Sequence, residues 1–298
     1  MSLPSYLIAR SALSINVNGV FIPFADAIKS LHRFCKPVLI HKPDPVFDMA
    51  YSGSSFLFRN AGRRVQLLTR HQLKSSDTEY FDPSALTVPI FKDGKCYGIP
   101  PSGAQKPAAS PDRDLSYDDI ILVVYEGEEN AEIDPLFIDI NWMSIPTLRQ
   151  IELSRVECFF TIGYPHIFTD FDIDLSEDGD PFFISIKSRW CSIYLQPCER
   201  QAFDLETRIP FKVDDRTPLE SFDPDGLSGA PVFFVYRTEQ GQAGWGIAGM
   251  ITHGMNNRFQ VYDGDNLRNF VLSAARDSRR PQAVKLDVTA EGHEPKVP

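Results

Sequence analysis

No run in the chain approaches the ~18 consecutive apolar residues that a membrane-crossing helix needs, so a helical membrane protein is not expected. Basic side chains are in deficit: 30 Lys and Arg against 40 Asp and Glu leave a formal net charge of −10. No global cationic field is therefore available to hold a phosphate backbone or anionic lipid, and neither nucleic acid nor membrane is an expected partner. Cysteines number five, Cys35, Cys96, Cys158, Cys191 and Cys198, an odd count at spacings that match no zinc pattern. Most read as small buried apolar residues, and Cys191 with Cys198 is the one pair near enough in sequence to flank a closable loop. Met1 to Tyr6 lacks a basic stretch leading into an apolar core, so export by a usual signal is not expected and a cytoplasmic protein is.

What is present is a hydrophobic fraction of 43%, ample for a core, with 23 prolines and 18 glycines that mark frequent turns across 298 residues. That composition predicts a soluble, mostly β protein with room for two modest domains. Phe24 to Phe34 carries apolar residues at helical intervals and predicts a short helix. The proline-rich stretch from Gly98 to Asp112 reads as a surface loop, and Asn141 to Gln150 as a crossover between domains. Strands are expected at Glu157 to Phe160, Phe182 to Lys187 and Trp190 to Leu195. The acidic stretch Asp170 to Asp180 starts with the alternate carboxylates of a calcium loop. Leu175 then stands where the turn glycine is needed and Pro181 where the bidentate glutamate is needed, so a solvated loop and no metal are expected.

The most chemically loaded stretch is Asp225-Gly226-Leu227-Ser228-Gly229-Ala230-Pro231-Val232. A serine hydroxyl is too weak an acid to attack a carbonyl at neutral pH without a base, so Ser228 as nucleophile needs a histidine and a carboxylate. His71 ends the β-period run from Val65 to Thr69. Asp119 stands immediately before five consecutive aliphatic residues, Ile120 to Val124, which predict a deeply buried strand. A carboxylate at that edge can fix the imidazole tautomer and stabilise the imidazolium as it forms. Gly226 lacks Cβ, so its backbone N–H can be aimed with that of Ser228 as an oxyanion hole.

These residues resemble the trypsin-like (chymotrypsin-fold) serine peptidases, in particular the bacterial branch without disulfides. Gly53-Ser54-Ser55-Phe56 resembles the strand that precedes the family's histidine, and Leu68-Thr69-Arg70-His71 its Thr-Ala-x-His element, one residue tighter. Asp119-Ile120-Ile121-Leu122 resembles the aspartate strand, and Thr161-Ile162-Gly163-Tyr164-Pro165 the turn early in the second barrel. Gly249 to Gly254 resembles the strand beside substrate, and Asp265 to Leu272 the closing helix. The resemblance implies an all-β fold of two packed six-stranded antiparallel β-barrels, chymotrypsin-like, with a short N-terminal helix and a C-terminal helix. Residues 1–38 would be an N-terminal extension, 39–148 the first barrel with His71 and Asp119, 149–278 the second barrel with Ser228 and the closing helix, and 279–298 a mobile tail.

The same resemblance makes His71 the general base, Asp119 its orienter and Ser228 the nucleophile, and places Phe222, Thr252, His253 and Gly254 at the substrate. Asp118, next to Asp119, is the competing acid. His253 lines the pocket in this reading, and His32, His41, His166 and His293 take structural or solvent roles. Leu227 stands where secreted members carry an aspartate that pairs with a new N-terminus, so that activation switch is expected to be absent. The expected activity is a serine endopeptidase with no cofactor, acting on a polypeptide substrate. A catalytically silent or partner-activated peptide-binding or sensor module, with a regulatory protein partner, is the alternative, and an esterase the third. The order histidine, aspartate, serine fits the α/β-hydrolase elbow worse, since there the serine comes first and feeds a helix.

Overall fold

The computed structural model describes residues 12–42, 49–76, 79–92, 95–106, 119–175, 181–205, 207–217, 223–255 and 257–276. The first strands of the described residues form a hairpin, β1 (Ser14–Val17) and β2 (Val20–Pro23), turned by Asn18 and Gly19, both at positive φ. The helical run from Phe24 to Phe34 follows, with α1 (Ala27–Leu31) between two 3-10 turns. Ala27 and Leu31, four residues apart and so on one helix face, are the pair it buries.

The first unit is an antiparallel sheet of β3 (Cys35–His41), β4 (Met49–Asn60), β5 (Arg63–Thr69), β6 (Leu86–Lys92), β7 (Lys95–Ile99), β8 (Gly103–Gln105) and β9 (Ile120–Tyr125) in the order β7-β6-β3-β4-β5-β9-β8. A two-residue β10 (Ile138–Asp139) pairs in parallel with β4. The sheet stays open as a half-barrel instead of closing as a six-stranded barrel. Pro100 and Pro101, which link β7 to β8, have no N–H with which to continue a ladder. The expected loop from Gly98 is accordingly shorter: β7 runs through Ile99, and Gly103 to Gln105 pair with β9. Residues 107–112 lie outside the described residues.

The second unit is a closed barrel of β11 (Val156–Gly163), β14 (Cys191–Pro197), β15 (Arg208–Val213), β18 (Arg258–Asp263), β17 (Ala243–Met255) and β16 (Pro231–Arg237), in that order. A separate hairpin of β12 (Thr169–Leu175) and β13 (Pro181–Ser188) projects between β11 and β14. The expectation of a loop over Asp170–Asp180 thus fails in its first half. Asp170, Asp172 and Asp174 alternate with Phe171, Ile173 and Leu175, which is the period of a strand. Residues 176–180 lie outside the described residues. The last described element is α2 (Gly264–Arg276), where the Asp263 carboxylate accepts from the amides of Asp265 and Asn266. Leu267, Phe270, Val271 and Ala274 bury its inner face.

Strand alternation assigns the core. Phe159, Val232 and Phe234 fill the closed barrel, while their neighbours Phe160, Phe233 and Val235 face out into a core shared with Phe56, Phe58 and Leu67 of the first sheet. Ile121, Val123 and Tyr125 pack on the far face of that sheet, so β9 is buried on both sides. Each fully buried phenylalanine of the shared layer contributes on the order of 2–3 kcal/mol, which docks the two units along the seam that holds the site. Cys191 and Cys198 do not pair: both are free, as are Cys35 and Cys158.

Candidate active site

β5 and β9 pair with Thr69 opposite Ile120, so the residues just beyond that rung meet at the sheet edge. His71 follows β5 in a 3-10 turn, Arg70–Leu73, and Asp119 precedes β9. The His71 Nδ1 lies 2.9 Å from both carboxylate oxygens of Asp119, and the His71 backbone N–H donates to Asp119 Oδ1 at 3.1 Å. The carboxylate is 15% exposed and the imidazole 35%, so the acid is shielded while the base reaches solvent. Asp118, the competing acid, lies outside the described residues, as does Phe222.

The serine-bearing loop belongs to the second unit and is clamped to the first. Ser54 N–H and Gln72 Nε2 donate to the Ser228 carbonyl at 3.1 and 2.9 Å, and Ser54 Oγ donates to the Gly226 carbonyl at 2.7 Å. Gly226 and Gly229 have φ of +89° and +84°, where side chains are strained, and the space is closed as well. A Cβ on Gly229 would stand 2.0 Å from the Ser54 carbonyl oxygen, and one on Gly226 would stand 2.7 Å from the His166 backbone nitrogen. No acceptor among the described residues engages the amides of Gly226 or Ser228. Leu227 is fully buried in the closed barrel, so the position ahead of the serine is committed to packing.

Gln72 is the residue that sequence reasoning passed over. Its Oε1 accepts from the Thr69 amide at 2.8 Å and hydroxyl at 3.0 Å, which caps the turn that carries His71. Its Nε2 donates to the carbonyls of Ser52, Ser54 and Ser228. One buried amide therefore ties the histidine turn, the neighbouring strand and the serine loop together. Gln72→Leu takes a donor from three carbonyls, of which that of Ser228 keeps the Ser54 N–H, and uncaps the turn; it is expected to cost about 3 kcal/mol. Urea denaturation checks this; a loss below about 1 kcal/mol contradicts the clamp.

Ser228 Oγ donates to the Thr252 carbonyl at 3.1 Å, and no hydrogen bond joins it to His71. Nε2 of His71 has Thr69 Oγ1 at 3.4 Å. Thr252 is itself held from behind, its hydroxyl accepting from the buried Arg208 Nε at 3.0 Å and donating to the Gln260 carbonyl at 3.1 Å. β16 starts opposite Met250 and the serine loop before it pairs with Ile251, so β17 runs on through Thr252, His253 and Gly254 with β18 along one edge.

His253, expected in the pocket, stands beside the base, its ring centroid 5.3 Å from that of His71. Desolvation there draws its pKa below the ordinary imidazole value; Asp119 opposes this, and the charges of His71 and Arg208 reinforce it. With the folded pKa below the unfolded value of about 6.5, the unfolded chain takes the proton first as pH falls. The stability from neutral His253 is therefore full above that value and is lost on acidification. His253→Gln is expected to flatten the acid limb of Tm against pH, and an unchanged limb contradicts the assignment. His166, expected to be structural, abuts Gly226 and pairs with Asp225 at 3.2 Å.

No protein-family model matches the chain, and no curated protein matches its sequence. Among solved structures it is similar to human heparin binding protein, at 11% identity and a TM-score of 0.47, over 83% of this chain and 92% of that one. At that distance the likeness carries neither activity nor ligand.

Proposed function

We propose that this chain is a serine endopeptidase that cleaves peptide bonds through an acyl-enzyme on Ser228. The observation that supports it best is the Asp119–His71 pair at the sheet edge, beside a serine loop that Gln72 and Ser54 bolt to the same sheet. An extended polypeptide would add to the free edge of β17 at Thr252–Gly254. Ser228 Oγ would turn from the Thr252 carbonyl to His71 Nε2, a contact of the kind that tightens only once substrate is bound. As Oγ attacks the scissile carbonyl, its proton passes to Nε2 and the amides of Gly226 and Ser228 receive the oxyanion. Asp119 holds the Nδ1–H and stabilises the imidazolium. His71 then returns the proton to the leaving amine, and water repeats the sequence to release the acid.

Buried Leu227 supports an enzyme active as made, without an N-terminal ammonium switch. The proposed setting is the cytoplasm, where thiols such as Cys191 and Cys198 stay reduced.

The second reading is a peptide-binding or sensor module awaiting a regulatory partner. It is favoured by the serine hydroxyl resting on the Thr252 carbonyl and not on the base. A panel of matched peptide and ester substrates separates the cases. Peptide turnover supports the endopeptidase, ester turnover alone an esterase, and peptide binding without turnover the module.

A further inference from the structure

We propose that His71, Asp119 and His253 form a binding site for a divalent transition-metal ion, zinc above all, and that its occupancy switches the serine site off. The coordination stands on geometry alone; the switch rests on the endopeptidase reading. One ligand atom from each of the three residues lies within 4.8 Å of the other two, and among the described residues this is the one such group. Two imidazoles and a carboxylate suit zinc, cobalt or nickel and not the all-oxygen shells of calcium or magnesium. Three protein ligands leave a fourth position for water.

Zinc bonds of about 2.0–2.2 Å put tetrahedral ligand atoms roughly 3.4 Å apart. The longest edge of the present triangle must therefore shorten. His253 can supply that movement: it is the most exposed of the three residues, and the β17–β18 register shifts between Ile251 and His253. The Asp119 carboxylate, oriented by the His71 amide, lies 2.9 Å from Nδ1 and must part from it by about half an ångström where a metal on Nδ1 replaces the proton between them.

The effect on chemistry does not depend on which nitrogen binds. A neutral imidazole carries one nitrogen lone pair able to accept a proton. A metal on Nε2 takes it directly. A metal on Nδ1 leaves the ring proton on Nε2. In either case no base faces Ser228, and chelation that removes the metal restores it.

The test titrates zinc into the full chain by calorimetry, with cobalt as a spectroscopic probe of tetrahedral coordination. One ion should bind, with Ser228→Ala at wild-type affinity and His253→Gln weakened at least about tenfold. Zinc should slow fluorophosphonate labelling of the wild type over the same concentration range. Absence of binding, equal binding by His253→Gln, or full-rate labelling of the zinc-loaded protein overturns the proposal. If the metal-free protein never labels, the peptidase reading and the switch fall while the coordination stands or falls on the titration.

Discussion

Replacing Ser228 by alanine is expected to lower kcat for peptide hydrolysis by on the order of 10⁶-fold, with a stability change of no more than about 1 kcal/mol. The two readouts separate because the side chain does little structural work. Its hydroxyl makes one hydrogen bond, to the Thr252 carbonyl, whereas the backbone of the same residue carries the contacts that hold the loop. An alanine keeps those contacts, the φ of Gly226 and Gly229, and the packing of Leu227. A variant that melts with the parent but turns over no peptide is the expected result. A variant that retains even a hundredth of the activity would place the nucleophile elsewhere.

Asp119→Asn is expected to cost about 10⁴-fold in kcat, with KM little changed. Asp119 accepts from the His71 side chain and backbone at once, so both oxygens face donors. An asparagine offers one oxygen and sets an NH₂ against a donor, which favours the tautomer with its proton on Nε2, the nitrogen that must accept from Ser228. The KM-against-kcat split is the discriminating readout, because a merely structural carboxylate would change stability first. A loss below about tenfold contradicts the role.

Much of this arrangement is legible in the sequence because it follows from strand periodicity. Ile120 to Val124 can only be a strand buried on both faces, which fixes Asp119 at its mouth, and the β-period run into Thr69 fixes His71 beside it. The helical run from Phe24 to Phe34 and the closing helix, found at Gly264–Arg276, were legible for the same reason. The hairpin of Ser14–Pro23 was not, since two four-residue strands around Asn18-Gly19 give too short a pattern beside the stronger helical one. Asp170 to Asp174 misled because net charge masks an alternation that is itself strand-like. Gln72 was invisible for a different reason. The Thr69-x-x-Gln72 spacing is that of a capping box and signals the turn alone, whereas the clamp comes from carbonyls of Ser52, Ser54 and Ser228 that only tertiary structure assembles. The approach of His253 to His71 likewise joins residues far apart in sequence and carried by different sheets, which no spacing announces.

The most direct measurement of the central claim is peptide mapping of the metal-free protein after reaction with a fluorophosphonate at neutral pH. One adduct, on Ser228 and lost in both Ser228→Ala and His71→Ala, is the predicted result. A folded wild-type protein that takes no label, or one whose label survives in Ser228→Ala, would contradict it.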